Sequence, residues 1–182
     1  MPFDLATPNG HWRFLTLGRR SCICNNMSDT DNSPSDYDAA VSRISEQCIA
    51  VRMRMLNRVI TAVYDDAVRP LGLTAGQSNI LVMVERLGNP RQGDVGKLLY
   101  MEKSTLSRNV ERLRQNGWLE VTEHAGDRAR YLNATPSGRD VIEQSLPLWE
   151  SAQIRAREII GPAGEQGLRD AADALWRAGA PT

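Results

Sequence analysis

The sequence predicts a mainly α-helical fold that carries one small β-hairpin. Apolar residues recur at steps of three and four along most of the chain beyond residue 36, which is the period of an amphipathic helix. Between residues 119 and 134 the period changes to two around the turn signal Ala125-Gly126-Asp127, which indicates a hairpin. The composition agrees, because 41% of the 182 residues are hydrophobic, 24% are charged and 5% are aromatic, a balance typical of a helical globular protein.

Residues 1–36 are predicted to form a disordered tail. Residues 25–38 are rich in Asn, Ser and Asp and show no apolar period. Met27 is a second plausible start of translation, so the preceding residues are either a flexible tail or an untranslated extension. The apolar patch at 14–17 is too short for a signal peptide, and no apolar run reaches the roughly 20 residues of a membrane span. We therefore expect a cytoplasmic protein with no membrane partner.

Residues 37–70 are predicted to form one long helix. Its apolar side chains recur at steps of three and four, namely Val41, Ile44, Cys48, Val51, Met55, Val59 and Val63. No Pro or Gly precedes Pro70 in this stretch, so nothing in the sequence indicates a break. A helix of this length needs an apolar partner along its face, either a second chain or the rest of its own domain.

Residues 71–135 are predicted to contain three short helices followed by the hairpin. A capping-box pattern, Thr74 with Gln77, begins the first of these helices. The third begins near Ser104 and ends at Asn116-Gly117, which suits a left-handed cap. The sequence order is therefore helix, turn, helix and strand-loop-strand.

Residues 136–178 are predicted to be helical. Thr135-Pro136 is a helix start, with Thr as the N-cap and Pro at the first helical position. We expect this helix to end at Gly161-Pro162, with Pro147 as a candidate kink, and a last helix to cover about residues 164–177.

The net charge argues against a protein that coats nucleic acid non-specifically. The 22 basic and 22 acidic side chains balance, so DNA binding would require positive charge concentrated in one place. The third short helix meets this condition, because its cations face a single acid, Glu111. These cations are Lys103, Arg108, Arg112 and Arg114.

The third short helix also has the pattern of a recognition helix. Leu106, Val110 and Leu113 share its apolar face, and polar side chains including Arg112 lie opposite. Short polar residues fill its first turn, which in a recognition helix approaches base edges in the major groove. They are Ser104, Thr105 and Ser107. Arg108 suits guanine and Asn109 suits adenine. A solvated helix face without a ligand is the alternative.

The hairpin tip carries two arginines beside a glycine. Arg128 and Arg130 can extend into a minor groove, where narrow A·T stretches concentrate negative potential. Asp127 is expected to brace one of them through an ion pair. An exposed charged turn is the alternative. A helix-turn-helix followed directly by an arginine-tipped hairpin is nevertheless much rarer by chance than either part alone.

Five runs of residues match a known pattern in order and spacing. They are Gly72-Leu73-Thr74, Lys103-Ser104-Thr105-Leu106-Ser107-Arg108, Gln115-Asn116-Gly117-Trp118-Leu119, Asp127-Arg128-Ala129-Arg130 and Thr135-Pro136-Ser137-Gly138. Through these runs the chain resembles the MarR family (multiple antibiotic resistance regulators) over about residues 40–178. The resemblance implies a winged helix-turn-helix transcriptional regulator.

The resemblance also implies a homodimer on double-stranded DNA with a pseudo-palindromic operator, and repression is the commoner outcome in the family. It assigns residues 37–70 and 136–178 to dimerisation and residues 71–135 to the winged helix-turn-helix domain. Six side chains would then meet the major groove, namely Lys103, Ser104, Thr105, Ser107, Arg108 and Asn109. Arg128 and Arg130 would meet the minor groove or flanking phosphates.

Control by a small aromatic ligand or by an oxidant is a further implication of the resemblance. Cys48 is the candidate redox thiol, and a small core hydrophobe is the alternative interpretation. Cys22-Ile23-Cys24 has the wrong spacing for an ordinary zinc pair. We expect neither a metal site nor a cofactor.

Other classes of function compete with the regulator. A winged helix used only for protein–protein contact predicts no DNA binding even at low salt. A metal sensor on the same fold would respond to added zinc. An enzyme is disfavoured, because the sequence contains no nucleophile elbow, phosphate loop or paired carboxylates in a plausible arrangement.

Overall fold

A computed structural model describes residues 35–123, 126 and 129–178. Its elements are α1 Asp36–Gln47, α2 Ile49–Val68, α3 Ala75–Leu87, α4 Gln92–Leu98, α5 Lys103–Gln115, β1 Leu119–Glu123, β2 Arg130–Ala134 and α6 Pro136–Ala178. A 3-10 turn, Arg69–Leu71, follows α2. Residues 1–34 of the predicted tail lie outside the described residues. Within the described part, no helix is long and apolar enough to cross a membrane.

The described residues divide into two units, one that ends at Ile44 and one that begins at Ser45. In the first unit, the Ser35 hydroxyl caps the start of α1 and accepts from the amide nitrogen of Asp38 at 3.2 Å. The second unit holds α2 to α6, the hairpin and the hydrophobic core.

The helix predicted over residues 37–70 is not continuous. It is interrupted at Cys48, whose ψ of 111° is extended. The Arg52 guanidinium donates to the Glu46 carbonyl and satisfies an acceptor that the break leaves without a helical partner. The prediction of one continuous helix was wrong because the apolar period runs through the break without a Gly or Pro to mark it.

The predicted capping box at the start of α3 is confirmed. The Thr74 hydroxyl accepts from the Gln77 amide nitrogen at 3.3 Å, and the Gln77 side chain accepts from the Thr74 amide nitrogen at 3.0 Å. The Asp65 carboxylate of α2 accepts from the Ala75 amide nitrogen at 2.7 Å. These bonds satisfy the free amides of α3 and tie its first turn to α2.

The core lies among α3, α4, α5 and the hairpin. Its largest fully buried side chains are Ile80, Leu81, Leu113, Leu119, Leu132, Val84, Val95 and Val110. The apolar face predicted for α5 is among the buried positions, since Leu106, Val110 and Leu113 are all buried. Burial of this face turns the opposite face of α5 outward.

The predicted hairpin is confirmed as an antiparallel pair, with Val121 opposite Leu132. The hairpin is attached to the helices through the segment before α4. The Leu132 amide nitrogen donates to the Pro90 carbonyl at 3.0 Å, and Arg91 forms a β-bridge with Tyr131. This pairing adds a third, very short strand beside β2 and attaches β2 to the segment before α4.

Helix α6 begins as predicted, because the Thr135 hydroxyl accepts from the Gly138 amide nitrogen at 2.9 Å. Its non-helical residue is Gly161, with φ 69° and ψ 167°, whereas Pro147 lies inside a helical segment. Glu165 bridges this kink, since it accepts from Arg157 at 3.1 Å and Arg169 at 2.8 Å. These bonds, that from Arg169 first, lower the pKa of the Glu165 carboxyl.

Candidate nucleic-acid interface

The outward face of α5 presents its cations and hydroxyls at the start of the helix. Lys103, Ser104 and Arg108 are exposed, and Thr105 and Ser107 are half-buried. An Arg108 guanidinium nitrogen lies 3.3 Å from the Thr105 hydroxyl one turn earlier. This contact is exposed, so it leaves Arg108 accessible to a ligand at the helix start.

Two of the predicted contact residues point toward neighbouring helices. The Ser107 hydroxyl accepts from the Gln92 side chain of α4 at 3.2 Å. The Asn109 side-chain amide nitrogen lies 4.0 Å from the Met101 sulfur. The same nitrogen lies 3.8 Å from the position that a Cβ on Gly76 would occupy. Asn109 is therefore directed into the packing among α3, α4 and α5 in this conformation.

The second half of α5 differs from the first. Arg114 donates to both carboxylate oxygens of Glu111, at 2.7 and 3.0 Å. Its hydrogen bonds lower the pKa of the Glu111 carboxyl and keep that group charged. Arg112 is exposed and lines a small polar groove with Thr74 and Gln115, apart from the start of the helix.

A larger open groove of about 680 Å³ runs between α4 and the start of α5 and is here called the α4–α5 groove. Its floor includes Gly96 and Leu106. Its charged lining consists of three cations and one carboxylate, namely Lys97, Lys103, Arg130 and Glu102. The hairpin thus brings Arg130 to the same surface as the first turn of α5.

The other predicted wing residues are Asp127 and Arg128, and both lie outside the described residues. The hairpin turn is described at Gly126, whose φ is 84°. The ion-pair brace by Asp127 and the groove contact by Arg128 therefore remain predictions.

The residues that hold the hairpin against the helices were not predicted from the sequence. The Arg91 side chain donates to the Tyr131 hydroxyl at 3.0 Å, and its guanidinium carbon lies 5.7 Å from the ring centroid. A cation over an aromatic face is attracted by the ring quadrupole. The two residues are 40 positions apart, so no local pattern could have paired them. Lys97 and Tyr100 of the α4–α5 groove were also missed.

Cys48 is a free cysteine that is partly exposed at the break between α1 and α2. The described residues contain no group of three or more His, Cys, Asp or Glu side chains that could hold a metal ion. The role of Cys48 as a redox thiol remains a prediction.

The order α3, α4, α5 and hairpin matches a known family. A family model described as MarR family aligns with residues 71–130, from the end of the 3-10 turn to the first residue of β2. The match covers the winged helix-turn-helix part of the chain, which is therefore similar to the MarR family. The predicted resemblance to the MarR family and the predicted mainly helical, winged helix-turn-helix fold are therefore confirmed.

A curated relative of this chain is YwoH of Bacillus subtilis, an uncharacterised HTH-type transcriptional regulator. The two are 24% identical over 87 residues, which cover 48% of this chain. The chain spans 64% of the length of YwoH in this alignment.

Solved structures of similar fold include two regulators. The structure of the M. tuberculosis regulator MosR in complex with DNA is 25% identical, with a TM-score of 0.61 over 72% of this chain and 98% of that chain. BpsR of Bordetella bronchiseptica, whose DNA binding is regulated by 6-hydroxynicotinic acid, is 20% identical, with a TM-score of 0.64 over 72% of this chain and 96% of that chain.

Proposed function

We propose that the chain is a sequence-specific transcriptional regulator that binds double-stranded DNA in the cytoplasm. The observation that carries the proposal is the convergence of Lys103 at the start of α5, Lys97 and the hairpin's Arg130 on the α4–α5 groove. An exposed polar helix fits a major groove, and cations beside a helix start attract phosphate. Similarity to the MarR family and the fold shared with DNA-bound MosR support the same function.

The proposed roles divide between base contacts and phosphate contacts. Ser104, Thr105 and Arg108 lie toward the start of α5 and are assigned to base edges, with Arg108 on guanine. Phosphate contacts fall to Lys103, Ser107 and Arg130, whose side chains line the α4–α5 groove. These contacts orient the protein on the duplex, while the base contacts give sequence specificity.

The remaining site residues have less direct roles in the proposal. The Asn109 side chain must rotate away from the Met101 sulfur before its amide can reach adenine. Arg112 would contact a phosphate away from the α5 start, because it lines a different groove. At the hairpin tip, Arg128 is assigned to the minor groove and Asp127 to bracing the arginines.

We further propose that the protein is a homodimer. Helices α2 and α6 pack against each other in one chain and still expose many large apolar side chains. These include Val51, Met55, Val59, Leu146, Trp149, Ile154, Leu175 and Trp176. Burial against the same surface of a second copy removes this apolar area from water. Such a dimer would present two α5 helices to a pseudo-palindromic operator, about 34–36 Å apart.

The proposal includes repression that is relieved by a small aromatic ligand or by an oxidant. BpsR is 20% identical in sequence to this chain, so the likeness extends to the fold alone. Its regulation by 6-hydroxynicotinic acid is the reason to test aromatic acids first. Oxidation of Cys48 is the redox variant of the proposal, because this thiol lies where α1 gives way to α2. A Cys48→Ser protein that binds DNA and responds to peroxide like the wild type would contradict it.

The test of DNA binding is a fluorescence-anisotropy titration of the full chain against its own upstream DNA across a range of salt. We expect binding that weakens linearly on a log–log salt plot. Arg108→Ala should lose about 1–3 kcal/mol of binding free energy. Arg114→Ala is the matched control, because this arginine of the same helix is held by Glu111.

The outcome that contradicts the regulator is specific. A folded dimer that binds neither its upstream DNA nor any sequence selected from a random pool at low salt would be a protein-contact module. Equal losses at Arg108 and Arg114 would instead contradict the assignment of bases to the start of α5.

A further inference from the structure

Tyr100 occupies a backbone position that ordinarily belongs to glycine. Helix α4 ends in a Schellman motif, in which the Tyr100 amide nitrogen donates to the Lys97 carbonyl at 3.2 Å and the Met101 amide nitrogen donates to the Gly96 carbonyl at 2.9 Å. This motif places Tyr100 at φ 48°, in the left-handed region. A side chain there meets its own backbone, which is why Gly or Asn is usual.

Packing does not explain this tyrosine. Tyr100 is 58% exposed. In this turn it is the neighbouring Met101 that packs against the hydrophobic core. Elsewhere among the described residues, only Asn89 is a non-glycine at positive φ, and Asn tolerates that conformation. An exposed aromatic side chain in an unfavourable backbone conformation contributes little to the stability of the fold. We therefore look for its role in contacts with a ligand.

The surroundings of Tyr100 indicate the kind of partner. Tyr100 lines the α4–α5 groove together with Lys97, Lys103 and Arg130, and Glu102 is the only carboxylate in that lining. A phenol is a hydrogen-bond donor, and tyrosine hydroxyls are regular partners of phosphate oxygens in protein–DNA complexes. A phosphate in this groove would meet both the phenol and the cations.

We propose that the Tyr100 hydroxyl donates a hydrogen bond to a phosphate oxygen of the DNA backbone that crosses the α4–α5 groove. This inference rests on the proposed DNA-binding function and adds a contact residue to it. Tyr100 is exposed and lines the groove, where glycine would offer no donor. Because the contact is to the backbone, its contribution is independent of base sequence.

The test removes the hydroxyl and keeps the ring. Tyr100→Phe and the control Tyr37→Phe, an exposed tyrosine outside the groove lining, are titrated against upstream DNA and against a scrambled duplex of the same length. We expect Tyr100→Phe to weaken binding roughly three- to tenfold on both duplexes, since a single hydrogen bond is lost. Tyr37→Phe should bind like the wild type, and circular dichroism should show all three proteins folded.

The outcomes separate this inference from the proposed function. Wild-type binding with unchanged Tyr100→Phe affinity overturns the phosphate contact and leaves the regulator standing. A loss confined to the upstream DNA also overturns it, because that result indicates a base contact. Absence of wild-type binding to both duplexes, and to every sequence selected from a random pool at low salt, overturns both proposals.

Discussion

Helices α4 and α5 end in the same hydrogen-bonded motif, but the left-handed residue is Tyr100 in one and Gly117 in the other. In α5 the Gly117 amide nitrogen donates to the Arg114 carbonyl and the Trp118 amide nitrogen to the Leu113 carbonyl, each at 3.0 Å. Gly117 has φ 74° and no atom near the position of an added Cβ. Glycine is needed there for its conformation and not for lack of space.

The two caps differ in what lies beyond them. The α5 cap is joined to the start of α6, because the Trp118 carbonyl accepts from the Thr135 amide nitrogen at 3.1 Å and the Gly117 carbonyl from the Thr135 hydroxyl at 2.7 Å. The α4 cap instead opens onto the α4–α5 groove. One cap therefore connects α5 to α6, and the other lines an open groove.

Gly138 gives the largest expected effect, because it determines how closely the α5 cap approaches α6. A Cβ on Gly138 would lie 2.1 Å from the Trp118 carbonyl oxygen, so Gly138→Ala must push the cap away. We expect a loss of about 3 kcal/mol in the free energy of unfolding, measured by urea denaturation. Gly167→Ala is the control, since its added Cβ meets no atom within 4 Å in the same helix, and it should stabilise by up to about 1 kcal/mol. Equal stability of the two variants would show that the close approach is not required.

Gly117→Ala tests the conformational demand of the α5 cap. The added methyl has room but must accept φ 74°, so we expect a loss of about 1–2 kcal/mol in the free energy of unfolding. The difference in the free energy of unfolding is obtained from the urea midpoints of the variant and the wild type, provided that both transitions have the same dependence on urea concentration. An unchanged midpoint would mean that the α5 cap can relax to another geometry, and the comparison with Tyr100 would then lose its basis.

The sequence predicted local elements well where one short pattern determines them. The Thr74–Gln77 box, the buried stripe of α5 and the hairpin all follow from residues within a few positions of one another. The resemblance to the MarR family followed from the same local runs. The break at Cys48 was missed because an extended ψ at a cysteine has no composition signal.

The candidate site was less predictable than the fold. The start of α5 was found because hydroxyls and cations cluster along one helix, but Arg130 joins that surface only through the hairpin register and the Arg91–Tyr131 contact. Tyr100 was missed for a different reason. Left-handed caps are recognised in sequence by Gly or Asn, and a tyrosine at such a position resembles an ordinary apolar residue at a helix end.

Tyr100→Gly is expected to have the smallest effect on stability, and an opposite sign to Gly117→Ala. Glycine relieves the strain at φ 48° but also gains freedom in the unfolded chain, so the two contributions largely offset. We expect a gain of about 0.5 kcal/mol in the free energy of unfolding, together with weaker DNA binding because the phenol is lost. Urea denaturation and anisotropy on the same preparation measure both quantities. A variant that is more stable and binds DNA as well as the wild type would show that Tyr100 has no role at the α4–α5 groove, whereas a clear loss of stability would mean that its ring supports the fold after all.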